Sequence, residues 1–311
     1  FAMPTALKIL HTADWHLDTP FKGISADKAA LRRGEQRDMT DKIAYLAYKE
    51  DVDLVLLAGD IFDSHKKASP ESVSQFLRFL DGIGCPVIIS PGNHDYYTPE
   101  GVYANLKLPD NVHVFGHNTV QYVDFPELDT RVFGAAFTSD GSNSLIAGRN
   151  FAQSTRMSPD YFGIMCIHWD YNNPQSKYNP ISPKDVEGCG LDYIALGHNH
   201  KSSGLVKNGN TFLYNPGCPE GRGFDETGVK TVAIVEIDKK EGTCKVRKHD
   251  VSKRKYEIIE ADITGADPLL KIHTLLPDDT TKDIYRIILK GEGTPDISRL
   301  YRNLKELFFY L

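Results

Sequence analysis

The chain has 311 residues, 41% of them hydrophobic and 25% charged, with a formal net charge of −6. That balance belongs to a folded globular chain rather than a disordered one, and the length suffices for one large domain plus a small one. No apolar run approaches the roughly 18 residues that span a membrane, and the opening FAMPTALKIL lacks the basic end and long apolar stretch of a signal peptide. Five scattered cysteines with no C-x-x-C argue against a disulfide framework or zinc knuckle and for a reducing cytoplasm. The negative charge argues only weakly against a nucleic-acid partner, because two bound divalent cations would offset four charges and the field at a cleft matters more than the total.

In chain order, segment 7–12 (LKILHT) is a short apolar run that stops at polar residues, and 53–58 (DLVLLA) and 86–90 (PVIIS) read the same way. Such runs suit strands buried on both faces. Between them a helical pattern covers about 38–50. Another follows Ser69-Pro70-Glu71, where serine can cap, proline fits the first helical position and glutamate favours the helix dipole. This alternation predicts α/β layering. From about 112, short runs at 112–115, 119–124, 131–136, 162–168, 192–196, 204–207, 211–214, 231–237 and 244–250 read mostly as strands, with Gly209 in KNGN marking a hairpin. They predict a second, more antiparallel sheet packed on the first. A boundary falls near 255–265, dividing the chain into a main domain, 1–255, and a small α/β appendage, 256–311. The appendage has a strand at 284–290 and a helix over 296–308. The abrupt apolar end LFFYL suggests truncation.

Five motifs follow apolar runs: Asp14-Trp15-His16, Gly59-Asp60 with Asp63, Gly92-Asn93-His94-Asp95, His168, and Gly197-His198-Asn199-His200. Each belongs on a loop at a strand's carboxyl end, where open α/β sheets build their sites. Taken singly, each has a plain reading. Asp-x-His can be a solvated turn, Asp60 a capping residue, Gly-Asn-His-Asp a β-turn, and His168 a hydrogen-bonded core histidine. The two imidazoles of Gly-His-Asn-His are the most specific piece and make a natural metal pair. Together the five would require several independent coincidences, and metal ligation is the simpler account.

As a set, D-x-H, GD-x-x-D, GNHD, a single H and GH-x-H resemble the signature of the calcineurin-like metallophosphoesterases over about residues 7–237. The resemblance implies a two-sheet αββα sandwich with a small C-terminal α/β cap. It also implies two metals: Asp14, His16, Asp60 and His200 on the first, Asn93, His168 and His198 on the second, with Asp60 bridging. His94 is then the catalytic histidine, with Asp63 as its carboxylate partner. Mixed nitrogen and oxygen ligation suits Mn²⁺ best, with Fe or Zn²⁺ as alternatives, and disfavours Mg²⁺ or Ca²⁺. Two such ions roughly 3.5–4 Å apart clamp a phosphate and lower the pKa of a bridging water toward about 7, giving the attacking hydroxide. His94 would stabilise the phosphoryl oxygens or protonate the leaving alkoxide.

Within that superfamily, KILHTADWHLDTPFKG, GDIFDS and YIALGHNHK resemble the SbcD-type DNA repair nuclease subunits and their bacterial paralogues. This implies DNA as a partner, an SMC-like ATPase bound through a C-terminal region beyond the sequence, and a homodimer. The dimer surface would use Val73, Phe76, Leu77 and Leu80 of 71–83 with Val102, Leu106 and Leu108. Segment 214–228 (YNPGCPEGRGFDETG) departs toward uncharacterised phosphoesterase paralogues. Lys245, Arg247, Lys248, Lys253, Arg254 and Lys255 could track a DNA backbone, or form a solvated edge strand whose lysines block aggregation. Tyr96 and Tyr97 could stack on a base or pack the cleft wall. His65, Lys66 and Lys67 could meet phosphate or be plain loop, Arg222 is a further phosphate candidate, and His11 reads as structural. The alternatives are a small-molecule phosphodiesterase with the same ligands, a phosphoprotein phosphatase (disfavoured, since that class resembles GDYVDRG and GNHE), and a non-enzymatic scaffold, which would have lost ligands.

Overall fold

The computed structural model describes residues 6–141, 157, 158 and 160–311. Its first sheet is built on β1 (Ala6–Thr12), β2 (Leu54–Leu57) and β3 (Val87–Ile89), which pair in parallel. Their side chains alternate between two cores, as a period of two requires. Ile9, Leu54, Leu56 and Ile88 face the second sheet. Leu10, Val55, Leu57 and Ile89 face helices α1 (Ala26–Glu50) and α2 (Pro70–Asp81). Ser69 caps α2 by accepting from the Ser72 N–H, with Pro70 in the first turn, as the sequence predicts.

Helix α1 begins twelve residues before the predicted 38. The polar stretch 26–37 hid it, because beyond the small Ala29 its inward positions are Arg32, Glu35 and Gln36. Arg32 bonds Glu35 at 2.7 Å and Glu220 at 2.8 Å, so the face is buried by ion pairing.

The second-half strands do not all join the second sheet. The first sheet runs β14-β13-β1-β2-β3-β4, taking in β4 (Val112–Val114), β13 (Thr231–Asp238) and β14 (Thr243–Asp250). The second runs β11 (Val206–Asn208), β12 (Thr211–Tyr214), β10 (Tyr193–Leu196), β7 (Phe162–Ile167), β6 (Thr130–Gly134) and β5 (Gln121–Phe125), while β8 (Asp170–Tyr171) and β9 (Pro180–Ile181) pair apart from it. Its inner strands β6, β7, β10 and β12 are parallel. Only the outer pairs with β5 and β11 are antiparallel. The expected more antiparallel sheet is therefore corrected: short apolar runs report burial, not the direction of a neighbour. Phe162, Ile164, Cys166, Tyr193 and Ala195 meet the first sheet between the layers. Short helix α3 (Pro183–Val186) covers part of the outer face through Val186.

From Tyr256, β15 (Tyr256–Asp262) and β16 (Ile284–Lys290) form a separate parallel pair. With α4 (Pro268–Leu275) and α5 (Ile297–Leu304) they enclose a small core of Ala261, Ile272, Tyr285, Leu304 and Phe308. The predicted strand 284–290 stands, and the helix runs 297–304 before a short 3₁₀ turn. Among the described residues no helix is long and apolar enough to cross a membrane.

Candidate metal centre

Every predicted ligand lies just past the carboxyl end of a strand in the parallel part of a sheet: Asp14 and His16 after β1, Asp60 after β2, Asn93 after β3, His168 after β7, and His198 and His200 after β10. The first two loops stay zipped beyond their strands. The Asp14 N–H donates to Gly59 O and the His16 N–H to Asp60 O, both at 2.9 Å. Asp14, His16, Asp60 and His198 take φ of 55°, 48°, 51° and 82°. Left-handed backbone of this kind costs a non-glycine residue roughly 1–3 kcal/mol and gathers at functional sites. Close packing also demands glycine: a Cβ on Gly92 would lie 2.2 Å from Asp60 Oδ1, and one on Gly59 2.6 Å from His168 Nδ1.

Asp95 holds these loops in place. Its Oδ1 accepts from the N–H groups of Asp60 (3.1 Å) and Gly92 (2.7 Å). Its Oδ2 accepts from Ile61 (2.7 Å), Phe62 (3.3 Å) and the Tyr103 hydroxyl. Burial, and then the neighbouring Asp60, push its carboxyl up from the ordinary range. With five donors aimed at it, the anion remains the form that satisfies the geometry.

Three imidazoles are gripped at Nδ1. His16 Nδ1 donates to Asp63 Oδ1 (3.1 Å), His200 Nδ1 to Glu226 Oε1 (2.6 Å) and His168 Nδ1 to the Ala58 carbonyl (2.8 Å). An acceptor on the outer nitrogen sets the tautomer and leaves the inner nitrogen as a ligand. Those inner atoms converge. His16 Nε2 and His200 Nε2 are 3.2 Å apart, with Asp14 Oδ1 3.7 Å from the latter and Asp60 Oδ2 3.6 Å from the former. The same Asp60 Oδ2 is 3.2 Å from His168 Nε2, which also lies 3.1 Å from Asn93 Oδ1. Lone pairs so close repel one another unless a cation or proton sits among them, so the donor set fits divalent cations on both sides of Asp60. His198 packs its ring 5.2 Å from that of His168, and its Nε2 lies 3.9 Å from Asp170 Oδ2.

The electrostatics agree. Burial raises Asp14 to about 6, while His16 is lowered to about 4 and His198 to about 4 by burial. Burial also opposes ionisation of Asp60, but the adjacent His168 and then His16 hold it below the usual carboxylate range. His168 is raised to about 9: burial lowers it, and Asp60 more than reverses that. A proton and a metal cation therefore compete for its Nε2.

His94 is exposed, with its ring 4.8 Å from that of His16 and its backbone N–H donating to Asp60 Oδ1 at 2.8 Å. The expected His94–Asp63 carboxylate pair is corrected. The Asp63 carboxylate turns to His16 and to Arg222 Nη1 (3.5 Å), two donors on its own side, and only its backbone carbonyl approaches His94 Nδ1, at 3.4 Å. Arg222 is engaged by Asp63 and by Glu226 at 2.9 Å rather than held free for phosphate.

Sequence reasoning missed Glu226 and Asp170 and gave Asp95 no role. The signals were present: Asp95 closes GNHD, Asp170 follows His168 by two, and Glu226 lies in the divergent loop 214–228. Three of the six basic residues of the run are ion-paired. Arg247 pairs with Glu50 (2.7 Å) and Glu236 (2.9 Å), Arg254 with Glu35 (2.7 Å), and Lys255 with Glu257 (3.2 Å). It begins on β14, the outer strand of the first sheet. Tyr96 stacks on His65 at 3.8 Å, Tyr97 packs against the helix-side core, and Lys66 and Lys67 are exposed. His11 is buried between the Tyr193 hydroxyl (2.8 Å) and the Leu196 carbonyl (3.0 Å), a structural place.

Comparison with known proteins follows the same lines. The chain is 29% identical over 308 residues to the uncharacterized metallophosphoesterase YhaO of Bacillus subtilis (strain 168), covering 96% of this chain and 72% of that one. It is 24% identical over 270 residues to the SbcD component of the nuclease SbcCD of the same organism, covering 74% of this chain and 66% of that one. It thus spans just under two thirds of that nuclease component's length. A dimetal phosphatase from Danio rerio superposes with a TM-score of 0.48 at 14% identity, over 75% of this chain and 92% of that one. The calcineurin-like phosphoesterase family profile matches residues 7–202, more than half of the sequence and the whole stretch from the first strand to His200. On that match the chain is a metal-dependent phosphoesterase and belongs to the calcineurin-like phosphoesterase family.

Proposed function

We propose that this phosphoesterase hydrolyses phosphodiesters with two divalent cations, most readily Mn²⁺, and that DNA is its substrate. The observation that carries the reading is the convergence of imidazole nitrogens and carboxylate oxygens around Asp60, with exposed His94 beside them. Asp14, His16, Asp60 and His200 would hold the first cation, and Asp60, Asn93, His168 and His198 the second. Bound there, the cations supply Lewis-acid polarisation and an activated water. His94 is fixed through its backbone by Asp60, and its Nδ1 faces the Asp63 carbonyl. Nε2 is thereby left to donate to a phosphoryl oxygen or to the leaving alkoxide.

DNA is supported by the likeness to the SbcCD nuclease, and by 22% identity over 306 residues to the DNA double-strand break repair protein Mre11 of Haloferax volcanii, covering 92% of this chain and 62% of that one. Tyr96, two positions after His94 and stacked on His65, offers a surface for a base. The proposal extends to a cytoplasmic location, to the appendage after Tyr256 as a cap over the substrate path, and to an SMC-like ATPase partner. It includes a homodimer through the half-exposed residues Val73, Leu77, Val102, Leu106 and Leu108, since Phe76 and Leu80 are buried in the core. A second reading, a small phosphodiester as substrate, is favoured by the ion pairing of the basic run. Mn²⁺-dependent turnover of single- and double-stranded oligonucleotides, bis-p-nitrophenyl phosphate and cyclic nucleotides separates the two. Oligonucleotide cleavage is expected. Turnover of small diesters with intact DNA would replace the first reading by the second, and no turnover of any diester would end both.

A further inference from the structure

We propose that Arg222 is a positioning residue that locks two carboxylate–histidine pairs, Asp63–His16 and Glu226–His200, onto a single cation. The inference rests on the two-cation reading above and concerns only the first site.

The two pairs are alike. Asp63 Oδ1 accepts from His16 Nδ1 at 3.1 Å, and Glu226 Oε1 from His200 Nδ1 at 2.6 Å. Both imidazoles thereby present Nε2, and those atoms are 3.2 Å apart. Arg222 lies between the carboxylates. Nη1 is 3.5 Å from Asp63 Oδ1 and Nη2 is 2.9 Å from Glu226 Oε1. The Arg222 backbone N–H donates to Glu226 Oε2 at 2.8 Å, and its Nε lies 3.4 Å from the same oxygen. Cys218 Sγ adds a 3.6 Å contact to Glu226 Oε2. Nη2 is also 2.8 Å from His200 Nδ1. A guanidinium only donates, and the one hydrogen on Nδ1 points to the carboxylate, so Nη2 directs its own hydrogen to Glu226.

Three features make this a clamp. A planar guanidinium spans two carboxylates with a fixed fork, which a lysine ammonium cannot do. Its charge separates two anions that would otherwise repel and turn away. The side chain is 18% exposed, so solvent screens the arrangement weakly. The histidines of the second site are held differently, His168 by the Ala58 carbonyl and His198 beside Asp170. Loss of Arg222 should therefore weaken one cation and spare the other.

The test is Mn²⁺ titration by calorimetry, with metal content by elemental analysis, on the full chain. Wild type should bind two ions. In Arg222→Met one site should weaken by about 10–100-fold, the usual effect of removing such an outer partner, with the other unchanged. Arg222→Lys should recover only part of the loss. Asp63→Asn should weaken the same site, and the double variant should lose less than the two single effects combined. Thermal unfolding of the metal-free proteins guards against misfolding, and Arg222→Lys carries the test if Arg222→Met fails to fold. Unchanged affinities with a raised KM would overturn the proposal and make Arg222 a phosphate-binding group. Equal weakening of both sites would also overturn it. If wild type binds no Mn²⁺, the two-cation reading itself fails.

Discussion

Replacing Asp95 by asparagine tests how the metal loops are built. The carboxylate takes two backbone N–H groups on each oxygen, plus the Tyr103 hydroxyl on one. An amide keeps one oxygen. Whichever way it sits, its NH₂ faces two backbone donors: Ile61 and Phe62 in one orientation, Asp60 and Gly92 in the other. Each buried N–H left without an acceptor costs about 1–3 kcal/mol, so Asp95→Asn should lose about 2–6 kcal/mol whatever the amide's orientation. That is a large part of the roughly 5–15 kcal/mol by which domains are stable. Tyr103→Phe removes one donor and leaves every N–H satisfied, so it should lose no more than about 1.5 kcal/mol. The measurement is urea unfolding with EDTA present, comparing midpoints at constant slope. Mn²⁺ titration should show both cation sites weakened in Asp95→Asn, because the Asp60 and Gly92 loops both lean on this residue. An Asp95→Asn protein within about 1 kcal/mol of wild type would refute the reasoning.

Two other outcomes follow from the site and the core. If His94 acts on the phosphoryl group, as proposed, His94→Ala should keep both cations and lose about 10²–10⁴-fold in kcat; loss of metal in step with activity would mean that it is a ligand. His11 sits at about 3, lowered by burial from 6.5. The unfolded chain therefore takes up this proton first, and the His11 contribution to stability is whole above pH 6.5 and is lost as pH falls toward 3. His11→Asn should flatten the acid side of the stability–pH curve relative to wild type, and parallel curves would show that another group sets the slope.

The candidate site was legible in the sequence to the extent that the proposed ligands sit directly after strands. The runs before Asp14, Asp60, Asn93, His168 and His198 announce themselves by burial on both faces, and the residues that follow must land at one edge. What surrounds the ligands was not legible. Glu226 reaches His200 from a loop 26 positions away, and only folding shows that its carboxylate lies there rather than in solvent. Asp63 stands in the expected motif, yet its carboxylate and its carbonyl serve different histidines, a distinction of rotamer that spacing does not carry. The start of α1 was hidden for a related reason. Its buried face is ionic, matched by Glu220 and Arg254 far along the chain.

The two sheets contribute to the site separately. Asp14, Asp60 and Asn93 hang from the first, and His168, His198 and His200 from the second. At Gly197 the layers touch so closely that a Cβ would fall 2.0 Å from the Ala58 carbonyl. A cation ligated from both sides, as proposed, would be a rivet through the sandwich, and only the docked pair of sheets could bind it. By mass action each rivet adds about 2.7 kcal/mol when free metal stands at a hundred times its dissociation constant. On the two-cation reading, the metal supply of the surroundings would then set how firmly the two halves of the molecule are held together, independently of any ester it cleaves.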